Sequence, residues 1–496
     1  MALPPLSRYS AGGAGRLSKQ RDNGVWLLGL LWLLVTVTAL LLRPLLPVDE
    51  TRYLSVAWEM WQRGDFLVPY LNGEPYSHKP PLLFWLIHAG WALFGVNAWS
   101  ARLVAPLLSL LCLLLTLRLA RALWPQQAAA GPSLAVWLLF GTLFWLAFMT
   151  MVQFDLLLTL CALLAWLGLV QAWRARPGGW LLTGLGIGLG VLAKGPVILV
   201  AVLPPALLAP WWMSGGSGAA WGRWYAGVVL ALAVGVAIAL AWALPAAASG
   251  GEAYRQAIFW GQSAGRVVNS FAHRSPWWTY LVLLPLMWLP WVLWPALWRA
   301  LRAWHGFGDS GVRLCLAGVV PALLLFSLIS GKQGKYLLPL FPLIALLLAR
   351  ALAAAAEHDI PARIRRIAAA MAVLVTVVHL VVPFVREPFD LEPLSHRIAA
   401  LQAQGIAVAN LGRYHGQYHF LGRLREPIVP LDYGRPVQDW LQSHADGFLL
   451  VYYRSRTPVV PADVYWQPYR GGSVVLWPAH LLIEQPRRLD APAAKA

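Results

Sequence analysis

Two carboxylates and a small set of cations stand out because each sits at the end of a long apolar run. Asp49 and Glu50 follow the apolar segment 25–46 and open Asp49-Glu50-Thr51-Arg52-Tyr53. Asp155 opens another run in Gln153-Phe154-Asp155. Lys194 closes a third, before Gly195-Pro196, and Gly331-Lys332-Gln333-Gly334-Lys335-Tyr336 opens a fourth. The stretch Asn72-Gly73-Glu74-Pro75-Tyr76-Ser77-His78-Lys79-Pro80-Pro81 and Arg266 complete the set. Lys and Arg can hold an anionic phosphate and stabilise it as a leaving group. A carboxylate beside them can take the proton of an attacking hydroxyl. The chemistry this combination suits is transfer from a lipid phosphate. Asp49 and Asp155 are the candidate catalytic groups, and Lys79, Lys194, Arg266, Lys332 and Lys335 the candidate phosphate ligands.

Each residue also has a plainer reading. An Asp at the start of a helix often caps it. A Lys or Arg at the end of a span can snorkel to headgroup phosphates. Glu50 is better placed to pair with a nearby Arg than to take part in chemistry. His78 could be structural, could donate to phosphate, or could ligate a divalent cation. Tyr53, Tyr76 and Tyr336 read first as interfacial aromatics. What argues for a site is convergence. Charges at membrane depth are costly and are usually retained for function, and these fall on one face with carboxylates among them.

The elements that must position them are membrane helices. Of 496 residues, 59% are hydrophobic and 12% charged, against roughly 45–50% and 25% in a soluble domain. That excludes a soluble globular enzyme and a disordered chain. A spanning helix needs about 20 mostly apolar residues. Eleven segments qualify: 25–46, 99–121, 133–151, 154–173, 179–196, 197–213, 224–246, 276–298, 313–330, 335–353 and 367–385. Segment 81–95 is too short and is expected to lie along the interface or dip into it. No signal-peptide cleavage pattern follows the first run. Cys112, Cys161 and Cys315 lie in apolar runs with no disulfide or metal spacing.

Orientation follows from Lys and Arg. The arm 1–24 carries Arg8, Arg16, Lys19 and Arg21, which places it in the cytoplasm. With eleven spans, the inner side carries 16 basic and 4 acidic residues. Most of the net charge of +18 is therefore topology rather than a nucleic-acid footprint. The candidate residues fall on the outer side, many of them in the loop 47–98. Residues 387–496 change character. Ile406–Ala409, Phe448–Tyr453 and Ser473–Trp477 read as strands and Leu394–Gln404 as a helix. They predict a small soluble α/β domain following a transmembrane domain over 25–386.

The motifs Asp49-Glu50-x-Arg52-Tyr53 and Asn72-Gly73-x-Pro75-Tyr76-x-x-Lys79-Pro80-Pro81 resemble those of the GT-C polyprenyl-phosphate-dependent glycosyltransferases. More narrowly, they are similar to the branch of the aminoarabinose transferases of lipid A modification and, more distantly, the protein O-mannosyltransferases. Asp155, Lys194-Gly195, Arg266 and Lys335-Tyr336 follow in the same order, over most of residues 25–350. The resemblance implies a multi-pass α-helical GT-C membrane fold with a small C-terminal soluble α/β domain. It implies a sugar donor on undecaprenyl phosphate and transfer by inverting displacement to lipid A, another envelope glycolipid or a protein, at the periplasmic side of the inner membrane. Asp49 matches the family's catalytic aspartate and Asp155 its second aspartate. Arg52, Tyr53, Tyr76, Lys79, Lys194, Arg266, Lys335 and Tyr336 match positions around the donor phosphate. One departure is clear: the aminoarabinose transferases have an acid where this chain has Ser77-His78, and a His where it has Gln262. The metal pair of that branch is not carried over, and no cofactor is expected as a requirement. A lipid-linked sugar flippase, a protein O-glycosyltransferase and an oligosaccharide ligase are the rival readings. Against the flippase stand the gathering of polar residues at one face and the lack of a visible repeat.

Overall fold

The computed structural model describes residues 12–126, 130–213, 218–261, 275–355 and 359–489. In hydrocarbon every backbone N–H and C=O must find a partner within the chain, so apolar runs fold as helices. Among the described residues, seven helices are long and apolar enough to cross a membrane. They are Gly24–Leu42 within α1 (Gly12–Leu42), α4 (Ala98–Leu123), α7 (Phe154–Trp173), Ala220–Ser249 within α10 (Gly218–Ser249), α13 (Ser310–Leu328), Gly334–Ala354 ending in α14 (Phe341–Ala354), and α15 (Ile360–Val385). The chain is a multi-pass α-helical membrane protein.

The other four sequence segments become shorter or broken helices. Segments 179–196 and 197–213 give α8 (Gly179–Lys194) and α9 (Ile198–Leu207). Segment 133–151 breaks at Gly141-Thr142 into α5 (Ala130–Phe140) and α6 (Leu143–Phe148). Segment 276–298 breaks near Pro285 and Pro290 into α11 (Thr279–Met287) and α12 (Pro295–Ala303). The two breaks satisfy each other. Leu143 N–H donates to Leu289 O at 2.9 Å, and Trp291 Nε1 donates to Leu138 O at 2.9 Å.

Helix α7 is the centre of the bundle, buried nearly all round, whereas α1, α10 and α15 turn most of their apolar surface outward, as lipid-facing helices do. Small residues let α8 approach α7. A Cβ on Gly168 would lie 2.5 Å from Thr183 N, and one on Gly186 2.7 Å from Cys161 O. Close backbone approach of this kind drives helix association in lipid. The α7–α8 pair is antiparallel, so it brings the start of α7 beside the end of α8. At the other end of the bundle, Asp309 caps α13 by accepting from Val312 N–H, and also accepts from Trp124 Nε1 at 2.9 Å and Arg350 at 3.3 Å.

Between α1 and α4 lies the first loop, with α2 (Asp49–Arg63), the hairpin of β1 (Tyr70–Leu71) and β2 (Glu74–Pro75), and α3 (Leu82–Phe94). Asn72 (φ 58°) and Gly73 (φ 88°) make the two-residue turn, which needs positive φ at both positions. The tail opens with α16 (Glu392–Ala403) and holds a five-stranded sheet. Its strands are β3 (Val408–Leu411), β4 (Val429–Leu431), β5 (Phe448–Tyr453), β6 (Tyr465–Tyr469) and β7 (Gly472–Pro478), in the order β4-β3-β5-β7-β6. The β4-β3-β5 pairings are parallel and β5-β7-β6 antiparallel. The tail is docked on the first loop. Asn72 exchanges two 2.9 Å hydrogen bonds with the backbone of Ile428, and Trp58 Nε1 donates to Leu424 O at 2.9 Å. Trp91 stacks on Phe420 with ring centroids 5.5 Å apart.

Replacing Gly186 by Leu is expected to cost about 2–3 kcal/mol, because backbone rather than a flexible side chain blocks the new atoms. Thermal unfolding in detergent measures this. Val378→Leu, on the outward face of α15, should leave the midpoint unchanged.

Candidate active site

The start of α7 is where the candidate residues meet. Three consecutive residues, Gln153, Phe154 and Asp155, each serve a different neighbour. The junction that fixes them is built on Glu50. Its buried carboxylate accepts from both terminal nitrogens of Arg43, from Leu46 N–H at 3.0 Å and from Val152 N–H at 2.8 Å. Arg43 also donates to Thr150 O. Burial alone would raise the Glu50 carboxyl, but Arg43 beside it, with Arg102 and the Val152 N–H, holds it below its usual range. The expectation that Glu50 pairs with an Arg is met, and its role is to tie the end of α1, the start of α2 and the entry to α7 together.

Asp49 occupies the first turn of α2, where a negative charge suits the helix dipole. It does not cap the helix, since the cap position is Val48 and no side chain closes it. Its carboxylate instead accepts from Lys335 Nζ at 2.7 Å and faces Arg52 at 3.5 Å. Lys335 Nζ also lies 3.5 Å from Gln153 Oε1. Asp49 keeps 35% of its side-chain surface open to solvent, so it can meet a substrate. Burial raises its carboxyl, and Lys335, Arg52 and Gln153 together outweigh that and lower it.

Asp155 lies in the first turn of α7 and is not its cap either, that position being Gln153. Its carboxylate, 2% exposed, pairs with Lys194 at the last residue of α8. The Lys194 ammonium sits over the Tyr336 ring, 4.6 Å from its centre. Phe154 collects a third group. Tyr53 packs on it edge-on at 4.9 Å, Phe84 at 5.6 Å, and the Lys79 ammonium lies 5.8 Å from its ring centre. The Tyr53 hydroxyl is pushed far up by burial and then by Asp49 and Tyr76, so it is a neutral donor.

Asp49, Arg52, Tyr53, Lys79, Asp155, Lys194, Lys335 and Tyr336 are thus brought to one place. Tyr76 acts electrostatically on Tyr53, and His78 stacks on Tyr76 at 5.3 Å. Among the described residues, no group of three or more His, Cys, Asp or Glu side chains gathers as a metal site. Lys332 turns elsewhere: its buried ammonium donates to Ser275 O at 3.0 Å and Ile329 O at 2.6 Å. Arg266 and Gln262 lie outside the described residues. Arg43 and Gln153 belong to the arrangement and were not among the sequence candidates. Arg43 carries a signal in hindsight, since it is a charge at the very end of the first apolar run.

The chain is similar to known proteins in sequence and in fold. The family model described as dolichyl-phosphate-mannose-protein mannosyltransferase matches residues 78–248. The undecaprenyl phosphate-alpha-4-amino-4-deoxy-L-arabinose arabinosyl transferase 2 of Pseudomonas fluorescens is 32% identical over 315 residues, which is 62% of this chain and 55% of that protein. Its counterpart in Erwinia tasmaniensis is 32% identical over 335 residues, 65% of this chain and 58% of the relative. The chain thus spans little more than half the length of these curated relatives. Among solved structures, ArnT from Cupriavidus metallidurans bound to undecaprenyl phosphate superposes with a TM-score of 0.69 at 19% identity, covering 91% of this chain and 97% of that one. The oligosaccharyltransferase AglB of Archaeoglobus fulgidus reaches a TM-score of 0.52 at 12% identity, over 83% of this chain and 65% of that one. The resemblance read from the first-loop motifs holds in sequence, and the GT-C fold is shown.

Two outcomes follow from the geometry. Glu50→Gln leaves Arg43 buried without its counter-charge and should cost about 3–5 kcal/mol of stability, whereas Arg43→Met with Glu50→Leu should recover much of that in thermal melts. Burial raises the Asp49 carboxyl, but Lys335 and Arg52 outweigh it and hold the group below its usual range. In Lys335→Met the first opposing charge is gone, so the carboxyl should protonate at higher pH. Difference infrared spectra referenced to Asp49→Asn would show the C=O band of the acid appearing earlier on acidification.

Proposed function

We propose that the chain is a polyprenyl-phosphate-dependent glycosyltransferase of the bacterial inner membrane, moving a sugar from undecaprenyl phosphate to lipid A or a related envelope acceptor at the periplasmic face. The observation that carries this reading is a partly exposed, ionised Asp49 paired with Lys335, with a second lysine–carboxylate pair, Lys194 and Asp155, close by at the start of α7. The names of the curated relatives, and the undecaprenyl phosphate bound by the superposed ArnT, support the same donor. The arginines at the other ends of the same helices, Arg118, Arg121 and Arg174, support a periplasmic position for Asp49.

The chemistry follows from what each group can hold. The donor presents a phosphodiester at the end of a lipid chain. Lys335 and Lys194 each have three N–H donors, so each can keep its carboxylate and still turn a donor to a phosphate oxygen. Arg52 keeps a buried Nε–H without a partner among the described residues, a further donor for an anion. As the bond from the anomeric carbon to the phosphate oxygen breaks, the electron pair leaves on the phosphate, where these cations stabilise it. The acceptor oxygen bonds the same carbon from the opposite face, which inverts its configuration. A hydroxyl acceptor gives its proton to Asp49. A phosphate acceptor is already an anion, and Asp49 then serves to hold Lys335 and Arg52 in place. Asp155, fully buried, positions Lys194 rather than touching substrate.

The test is cellular and chemical. Asp49→Asn and Asp49→Ala should each lower transfer about 10²–10⁴-fold for a hydroxyl acceptor, read by mass spectrometry of lipid A and envelope glycans. Unchanged glycans in both variants overturn the role of Asp49. Reconstituted protein that carries labelled donor across a bilayer and transfers sugar to no acceptor overturns the transferase reading in favour of a flippase.

A further inference from the structure

The tail does more than cover the bundle, because part of it is clamped beside Asp49. Ser55, on the same helix as Asp49, donates through Oγ to Gly416 O at 2.6 Å and accepts from Phe420 N–H at 3.1 Å. Gly416 (φ +73°) lies so close to the β1–β2 hairpin that a Cβ there would be 2.3 Å from Leu71 Cδ1. These contacts fix the loop Gly412–Gly416, which carries Arg413 and His415, against the first turns of α2. A second tail element, the tip of the β6–β7 hairpin, carries Arg470, anchored by its N–H on Pro388 O at 2.7 Å.

Contacts place these elements together: Tyr469, next to Arg470, packs on Tyr452 with ring centroids 5.2 Å apart, and the Tyr452 hydroxyl accepts from Gln417 Nε2 at 2.9 Å, one residue beyond Gly416. Arg52, Arg413, Arg470 and Asp49 all act on the His415 ring, and Arg470 and Arg52 both act on Tyr469. Burial, then Arg52 and Arg413, push His415 down to about 4, so it is neutral at ordinary pH and can accept or donate without adding charge. Arg413 and Arg470 are exposed, and neither has a carboxylate partner among the described residues. Asp49 is already committed to Lys335. The rest of the tail does not explain this surplus, since residues 387–496 hold 11 basic and 10 acidic side chains. Guanidinium groups without a carboxylate partner suit a phosphate, which can take two parallel N–H bonds from each fork.

We propose that Arg413 and Arg470 of the tail bind a phosphate group of the acceptor and position it against Asp49, so that the tail selects phosphorylated glycolipids. This rests on the transferase reading. The donor phosphate has its own ligands on and beside the membrane helices, in Lys79, Lys194 and Lys335, whereas Arg413 and Arg470 stand on the soluble sheet.

The experiment uses the full chain in detergent, as parent, as Arg413→Gln with Arg470→Gln, and as the Lys pair. Binding of bisphosphorylated lipid A, of its monophosphoryl form and of undecaprenyl phosphate is measured directly, and KM and kcat for acceptor and donor are measured separately. In Arg413→Gln/Arg470→Gln, the Kd and KM for the bisphosphorylated acceptor should rise roughly tenfold or more, with kcat at saturation and the donor KM unchanged. The conservative Arg413→Lys/Arg470→Lys should recover part of the loss. A rise in the donor KM instead assigns the arginines to the donor and overturns the proposal, as does unchanged acceptor binding. Parent protein that binds the bisphosphorylated acceptor through these arginines but transfers nothing to it leaves the proposal standing and fails the transferase reading. An Arg413→Gln/Arg470→Gln protein that transfers sugar to the bisphosphorylated acceptor as well as the parent does overturns the proposal and leaves the transferase reading standing.

Discussion

A charge taken out of water must find its counter-charge inside the protein, and at Glu50 that requirement sets the rest of the site. The carboxylate is shared by Arg43 at the end of α1 and by backbone N–H groups on both sides, at Leu46 and Val152. Neither charge has water to fall back on, so the geometry has little freedom. Because Glu50 and Val152 are held together, their neighbours Asp49 and Gln153 are held together as well. Asp155 follows two residues later, at a place where α8 delivers Lys194. A buried ion pair thus sets the positions of the groups of the candidate site.

The same logic explains why Lys335 and Lys194 are paired. Lys335 and Lys194 each rest on a carboxylate, and each keeps donors in reserve. A lysine without a partner at this depth would carry a desolvation cost that nothing offsets. An ammonium bonded to a carboxylate satisfies both demands, because its charge is paired while N–H donors remain. The two aspartates differ in the same spirit. Asp49 is open enough to meet an incoming group, whereas Asp155 is closed and only orients Lys194.

Much of this was legible in the sequence, and the limits are physical. Apolar runs and end charges pointed to the seven spans found among the described residues, out of eleven expected, to the first loop and to the convergence of Asp49, Asp155, Lys79, Lys194 and Lys335. Strand patterns gave Phe448–Tyr453 to the residue. The breaks in 133–151 and 276–298 were hidden, because hydropathy reports composition and not the hydrogen bonds by which two interrupted helices repair each other. The short strands β4 and β6 were hidden because Pro430 and Pro468 blur their alternation. Lys332 and Lys335 look alike in sequence. They separate only because the backbone around 329–335 turns one ammonium onto carbonyl oxygens and the other onto Asp49. Gln153 gave no signal at all, since an uncharged amide next to Phe154 is ordinary.

The first-loop motif divides into two kinds of requirement once the tail is in view. Asp49, Arg52, Tyr53 and Lys79 face the start of α7, where the candidate site lies. Asn72-Gly73 answers to architecture. The turn needs positive φ at both positions, and the Asn72 amide must both donate to Ile428 O and accept from Ile428 N–H. An Asp could adopt the turn but has no N–H to donate, so the amide is fixed by docking rather than by reaction. At Ser77-His78, where this chain departs from the branch its motifs resemble, His78 stacks on Tyr76, so the departure alters the surroundings of Tyr76, which itself acts on Tyr53.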